Sequence, residues 1–172
     1  MRKVAVISSA SGNGKTTVGR MLASRLEVPF VELDALVHGS NWNETPNDDL
    51  RLALEPTLSG DGWVIDGNYS SKLGDVVLRE ADTVVWLDLP VHVWLPRLLL
   101  RTLRRIALRE ELWNGNRESL KGALWGRDAL IPFALRMHRA RRTTYPERLA
   151  PFPTVRLRTQ PEVDAFVSGV AP

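Results

Sequence analysis

The chain is expected to fold as an α/β domain, a parallel sheet with helices on both faces, and three observations lead there. Short apolar runs of strand length alternate with stretches of helical periodicity. Residues 9 to 17, Ser-Ala-Ser-Gly-Asn-Gly-Lys-Thr-Thr, lie between the apolar run Val4-Ala5-Val6-Ile7 and an amphipathic stretch, which reads as strand, phosphate-binding loop and helix. Acidic residues stand where the later apolar runs stop, at Asp34, Asp66 and Asp88, the strand ends where such sheets collect ligands. A chain of 172 residues is large enough for one buried core and too short for two ordinary domains, so a single domain over 1–172 is expected.

Each element has its own signal. Val18, Met21, Leu22 and Leu26 recur at helical spacing and predict a first helix over residues 15–27. Val28 to Leu33 reads as a second strand ending at Asp34, followed by a loop rich in Gly, Asn and Trp. Leu50, Leu54 and Leu58 share one face of a helix over 47–58, with Asn47 as its cap. Asp61-Gly62 turns into the strand Trp63-Val64-Ile65, which stops at Asp66-Gly67-Asn68-Tyr69, and residues 83–87 make a further buried strand. From Val91 to about Arg109, Trp94, Leu95, Leu98, Leu99, Leu103 and Ile106 line one helical face, and Arg97, Arg101, Arg104 and Arg105 the other. Residues 112–126 carry Asn114-Gly115-Asn116 and predict a mobile connection, after which helical pattern resumes from about Asp128 to Arg142. A last strand over 154–158 and a helix opened by Pro161 end the pattern, and no internal repeat is evident.

Composition narrows the chemistry. With no cysteine, disulfides, thiolate metal sites and cysteine catalysis are excluded. No apolar run reaches the ~20 residues of a membrane helix, and a cytoplasmic protein without membrane partners is expected. The net charge of +3 is unevenly spread: residues 97–142 hold eleven Arg and one Lys against four acids, a balance of +8 that leaves −5 for the rest. Such a block meets an anion or is solvated.

The loop matches GxxxxGK[ST] except that Ser9 replaces the first glycine. Gly12 and Gly14 allow backbone N–H groups to turn toward phosphate oxygens, and the helix that follows adds its positive end. Ser11, Gly12, Asn13, Gly14, Lys15, Thr16 and Thr17 are therefore expected to hold nucleotide, with Lys15 on the terminal phosphates and Thr16 on Mg²⁺. Asp66 ends an apolar strand before a glycine and is the second expected metal group, with Asn68 and Tyr69 on the same floor. Asp34 faces the loop and is expected to orient an acceptor or take its proton, with His38 nearby. Asp88 reads as a strand-end cap. Among the arginines of the basic block, which include Arg127, Arg136, Arg141 and Arg142, Arg101, Arg105 and Arg139 are the catalytic candidates for stabilising a moving phosphoryl group. Trp42 and Trp113, in polar loops, are expected beside ligand.

With these residues in hand, the chain resembles the small P-loop kinases of the adenylate kinase superfamily, most closely the adenylate kinase-related group often labelled DNA topology modulation proteins. The resemblance rests on Ser9 to Thr17, Asp34, Gly62 to Tyr69, Ala81 to Asp88 and the Arg-bearing helix that follows. It implies a three-layer P-loop NTPase fold, a five-stranded parallel sheet in the order 2-3-1-4-5, a helical lid over approximately 110–142, and the use of ATP with Mg²⁺. It also implies that Arg158 and the loop to Pro161 lie near the adenine. Adenylate kinases carry Thr-Gly-Asp after strand two and Asp-Gly-Phe-Pro-Arg after strand three. Here Glu32-Leu33-Asp34-Ala35 and Asp66-Gly67-Asn68-Tyr69-Ser70 stand there, and the Asp after strand two is more similar to shikimate and gluconate kinases.

The expected function is an ATP-dependent kinase acting on a small acceptor: a nucleotide, a nucleoside or a hydroxyl compound. The alternative of another class is a nucleotide-dependent nucleic-acid-binding, topology-modulating protein that uses the basic segment 97–142, disfavoured because its arginines fall where lids place them. A third is an ATP-binding module without transfer activity.

Overall fold

In the computed structural model, described for residues 1–67, 69–126 and 129–171, five strands form one sheet: β1 (Lys3–Ser8), β2 (Phe30–Glu32), β3 (Trp63–Asp66), β4 (Thr83–Leu87) and β5 (Thr154–Leu157). Their order is β2-β3-β1-β4-β5 and every neighbouring pair is parallel, as expected. Parallel neighbours need crossovers, and these are the helices α1 (Lys15–Leu26), α2 (Leu33–Val37), α3 (Asn47–Leu58), α4 (Ser70–Leu73), α5 (Val76–Glu80), α6 (Val91–Ala107), α7 (Leu120–Leu124), α8 (Leu130–Leu149) and α9 (Gln160–Gly169).

The pleat divides the core. Val4 and Val6 of β1 point to one face, where Val18 and Leu22 of α1 and Val163 and Val167 of α9 cover them. Ala5 and Ile7 point to the other face, under Leu50 and Leu54 of α3, Val77 of α5, and Tyr145 and Leu149 of α8. A third, smaller cluster joins Ala10 of the loop after β1 to Trp94 and Leu98 of α6 and Ala134 of α8. That cluster ties the loop to the two long helices. No described helix is long and apolar enough to cross a membrane.

Five expectations about elements need correction. The second strand is only Phe30–Glu32, because the Val28 N–H caps α1 on the Ala23 carbonyl and Leu33 turns inward against Gly67 to begin α2. Asp34 therefore sits in the first turn of a short helix and not on a strand end. Asn47 is the first helical residue of α3; Pro46 holds the cap position and no side chain caps the helix. The apolar face of α6 is buried only at Trp94 and Leu98, with Thr102 beside them, while Leu99 and Leu103 are exposed where the helix runs past the edge of the core. Helix α8 continues beyond Arg142 to Leu149, since the Thr143 and Thr144 hydroxyls bond back to the Arg139 and Ala140 carbonyls and Tyr145 and Leu149 return to the core. The connection over 112–126 is built, with a tight turn at Trp113–Gly115 and then α7. Asp128, expected at the start of α8, lies outside the described residues, as do Asn68 and Arg127.

Helix α3 presents Leu54 inward, 1% exposed, and Leu52 outward, 65% exposed. In urea unfolding, Leu54→Ala should lower stability by about 2–5 kcal/mol and Leu52→Ala should stay within about 0.5 kcal/mol of the parent. The reverse ranking would mean that α3 is rotated from this placement.

Candidate functional site

The loop after β1 is fixed from below by residues far away in sequence. Ser9 is buried; its hydroxyl donates to Asp88 Oδ1 at 2.6 Å and accepts from the Trp86 indole N–H at 2.9 Å. Asp88, also buried, accepts two bonds on Oδ2 from Arg156, at 2.6 and 3.0 Å, and pairs with Arg142 of α8 at 3.3 Å. The Arg156 guanidinium lies over the Trp86 ring, 4.1 Å from its centroid. Asn13 bridges the loop to the start of the β4–α6 connection, donating to the Ala10 carbonyl and accepting from the Leu89 N–H. Arg141 donates to the Ser8 carbonyl at 3.3 Å. Asp88 thus orders the loop, the end of β5 and α8 together, a larger role than a strand-end cap.

Above this foundation the loop opens. Gly12 has φ 86°, and a Cβ there would come within 2.7 Å of the Trp94 carbonyl, so the loop reaches α6 only as glycine. Gly14, φ 87°, precedes α1 with free space on its Cβ side. Helix α1 has no side-chain cap and no acid in its first turn, and the N–H groups of Lys15, Thr16 and Thr17 have no acceptor among the described residues. Unpaired amides at a helix N-terminus, with a lysine beside them, suit an anion.

Two carboxylates meet at this opening. Glu32 and Asp66 are register partners on β2 and β3. The Thr16 hydroxyl donates to Asp66 Oδ2 at 2.6 Å and stands 3.3 Å from Glu32 Oε1. Its single proton serves only one of them. Asp66 Oδ1 is buried without a hydrogen-bond partner among the described residues and faces Lys15 Nζ at 3.3 Å. Two carboxylates around one hydroxyl, one of them with an unsatisfied buried oxygen, fit a small hard cation that keeps several waters, and the oxygen-only donor set is that of Mg²⁺. Among the described residues no cluster of three or more His, Cys, Asp or Glu makes a closed metal cage. Glu32 was missed in the sequence because it lies inside a strand, and its pairing with Asp66 is a matter of register.

Asp34 lies on α2, with its Oδ1 accepting the Tyr69 hydroxyl at 2.5 Å; that hydroxyl stands 3.2 Å from His38 Nε2. Burial first, then the charge of Asp34 and its hydrogen bond, and more weakly Glu44 and Asp66, push the Tyr69 phenol well above the ordinary tyrosine range. It is a neutral donor. Arg101 of α6 approaches the same region: desolvation and the neighbouring Arg105 lower its pKa, while Glu118, Asp34 and Glu32 act in the opposite sense. Arg105 is engaged by Glu118 at 2.8 Å. Arg139 is exposed, with no acceptor for its guanidinium among the described residues. Arg158, at the end of β5, is exposed and gives its backbone N–H to Glu162 at 2.7 Å. Much of the basic segment is answered within the fold, by Arg104 with Glu110, Arg117 with Glu111 and Arg142 with Asp88.

Two hairpins close over this side. In one, Gly39 N–H bonds to the Asn43 carbonyl at 2.7 Å and Asn41 has φ 56°; in the other, Leu112 N–H bonds to the Asn116 carbonyl at 2.7 Å and Asn114 has φ 56°. They are the same device built twice, with Asn at matching positions where a left-handed residue is needed. Asn116 clasps them, donating to the Gly39 carbonyl and accepting from the Trp42 N–H, both at 2.9 Å. Asn114 donates to the His38 carbonyl at 2.6 Å, and the His38 ring stacks on Trp113 and meets Trp42 edge-on. The two tryptophans expected beside ligand thus pack on His38. A separate apolar groove lined by Leu52, Leu54, Leu58, Leu73 and Val76 lies between α3 and the α4–α5 segment and presents none of these groups.

A family model for shikimate kinase matches residues 11–48, from the loop to the first residues of α3. Shikimate kinases from Sulfurihydrogenibium sp. (strain YO3AOP1) and Chlorobium chlorochromatii (strain CaD3) are each 29% identical, over 101 residues (51% of this chain, 61% of the relative) and 123 residues (61% and 63%). The chain therefore spans less than two thirds of the length of either relative. Among solved structures, shikimate kinase from Acinetobacter baumannii in complex with shikimate has a TM-score of 0.59 at 19% identity, covering 96% of this chain and 89% of that one. A gluconokinase from Sinorhizobium meliloti 1021 has a TM-score of 0.53 at 19% identity, covering 97% and 91%. The fold these likenesses show is that of the small P-loop kinases. They give the nucleic-acid alternative no support.

Ser9→Gly would restore the loop to the full GxxxxGK[ST] pattern, yet it strips Asp88 and the Trp86 indole of a buried partner. Stability in urea should fall by about 1–3 kcal/mol. An unchanged or higher stability would contradict the role given to the Ser9 hydroxyl.

Proposed function

We propose that the protein is an ATP-dependent phosphotransferase that moves the terminal phosphoryl group of ATP to a hydroxyl of a small acceptor. The observation that carries this reading is the meeting of Lys15, Thr16, Glu32 and Asp66 at the open N-terminus of α1, with Asp34 on the neighbouring strand–helix junction.

In this reading the amides of Gly12 to Thr17 hold the phosphate tail, and Asn13 shapes the loop while Ser11 lines it. Lys15 follows the transferring group as a mobile charge. Thr16, Asp66 and Glu32 hold Mg²⁺, which when bound neutralises charge on the phosphate oxygens. Asp34 accepts the proton of the acceptor hydroxyl as its oxygen bonds to phosphorus and the bond to ADP breaks. Arg101 and Arg139 stabilise the charge spread over the moving group. Arg105 enters that role only by leaving Glu118. Arg158 lies toward the base, and residues of approximately 110–142 act as the lid. The acceptor class, a hydroxy acid or sugar acid ahead of a nucleoside or nucleotide, follows the shikimate kinase and gluconokinase likenesses and the lack of an AMP-gripping arginine after strand three. Assignment to the adenylate kinase-related DNA topology modulation group rests on sequence motifs alone, and a cytoplasmic location belongs to the same proposal.

The test is ADP release with MgATP against a panel of shikimate, gluconate, deoxyadenosine and nucleoside monophosphates. One of them should stimulate turnover, Lys15→Ala should reduce it roughly a hundredfold or more, and Asp34→Asn should lower kcat with the KM for MgATP unchanged. If no compound raises ADP release above hydrolysis, the kinase reading fails.

A further inference from the structure

Asp34 does not stand alone. A carboxylate only accepts hydrogen bonds and a phenol has one proton, so the Tyr69 proton is committed to Asp34 Oδ1. The Tyr69 oxygen can then only accept from His38, whose Nε2 is 3.2 Å away and must carry the proton. The remaining ring nitrogen, Nδ1, is buried without a partner among the described residues, which agrees with its bearing no proton. His38 is placed by both hairpins: its carbonyl accepts from Asn114, its ring lies between Trp42 and Trp113, and Asn116 bonds the residues on either side of the turn. Each hairpin supplies one of the two tryptophan rings against His38.

We propose that Tyr69 and His38 are positioning residues for Asp34: a one-way hydrogen-bond chain from His38 through Tyr69 pins Oδ1, leaves Oδ2 for the acceptor hydroxyl, and is held in place by the clasp between hairpins 38–44 and 111–117. This rests on the reading of Asp34 as the group that receives the acceptor's proton. Its consequence is that the acceptor side and the lid form one unit. The acceptor site is complete only when the 111–117 hairpin is docked, so acceptor binding and lid position are coupled without any contact between lid and acceptor.

The chain has a direction, and the direction can be read. Long-range ¹H–¹⁵N spectra of the full-length protein labelled in histidine, above pH ~8 where an ordinary imidazole is neutral, report which nitrogen of His38 is protonated, with His92 and His138 as internal references. The parent should show the Nε2–H tautomer. In Asp34→Ala the phenol loses its acceptor and should turn its proton to His38 Nε2, switching the ring to Nδ1–H, whereas Asp34→Asn keeps an acceptor oxygen and should retain the parent pattern. Tyr69→Phe should give a mixture of tautomers, and Asn116→Ala should do the same with the far-UV circular dichroism unchanged. An Nδ1–H ring in the parent, or an unchanged ring in Asp34→Ala, overturns the chain; unchanged spectra in Asn116→Ala overturn its dependence on the clasp. These outcomes are separate from enzyme assays: absence of phosphoryl transfer would remove the kinase reading while leaving the tautomers as they are.

Discussion

The carboxylate of Asp88 is the constraint from which the functional end of the molecule is built. It is buried at the end of β4 and is met by Ser9 from the loop, Arg156 from β5 and Arg142 from α8. A buried carboxylate that lost these partners would carry a heavy desolvation penalty, so the three segments are held to it. Such networks contribute little net stability compared with apolar packing. What this one contributes is placement: it sets the height of the loop at the end of the central strand, and with it the direction in which α1 opens.

With the loop set, the rest of the site follows from sheet register and one close approach. Gly12 brings the loop against α6, which carries Arg101 toward Asp34 and Glu32. The pairing of β2 with β3 places Glu32 beside Asp66, and both beside the first turn of α1. Groups from four separate stretches of chain converge without any of them being neighbours in sequence. The strand ends of a parallel sheet are where such convergence is easiest, because every loop there leaves in the same direction.

The parts legible in the sequence are those whose signal is local. The loop declares itself by the spacing of Gly12, Gly14, Lys15 and Thr16, and the strands by apolar runs that stop at an acid. The sheet order came from resemblance, and periodicity alone did not supply it. What was not legible depends on pairing at a distance. Ser9 looked like a departure from a pattern until Asp88 and Trp86 were seen beside it; Glu32 looked like a strand residue until its register with Asp66 was known. The helical pattern was ended at Arg142, whereas the Thr143 and Thr144 hydroxyls bond within α8, which runs on to Leu149. The clasped hairpins left one trace, an Asn-x-Asn spacing at 41 and 43 and again at 114 and 116, too short to register as a repeat.

The account depends most on the claim that the open turn of α1, with Lys15 above and two carboxylates beside it, grips a magnesium-complexed triphosphate. Isothermal calorimetry of the full chain with ATP, in the presence of Mg²⁺ and again with the metal chelated, tests that directly. Saturable heat with the metal and markedly weaker binding without it is the result the account requires. No heat from ATP or GTP at millimolar concentration with Mg²⁺ present would contradict it.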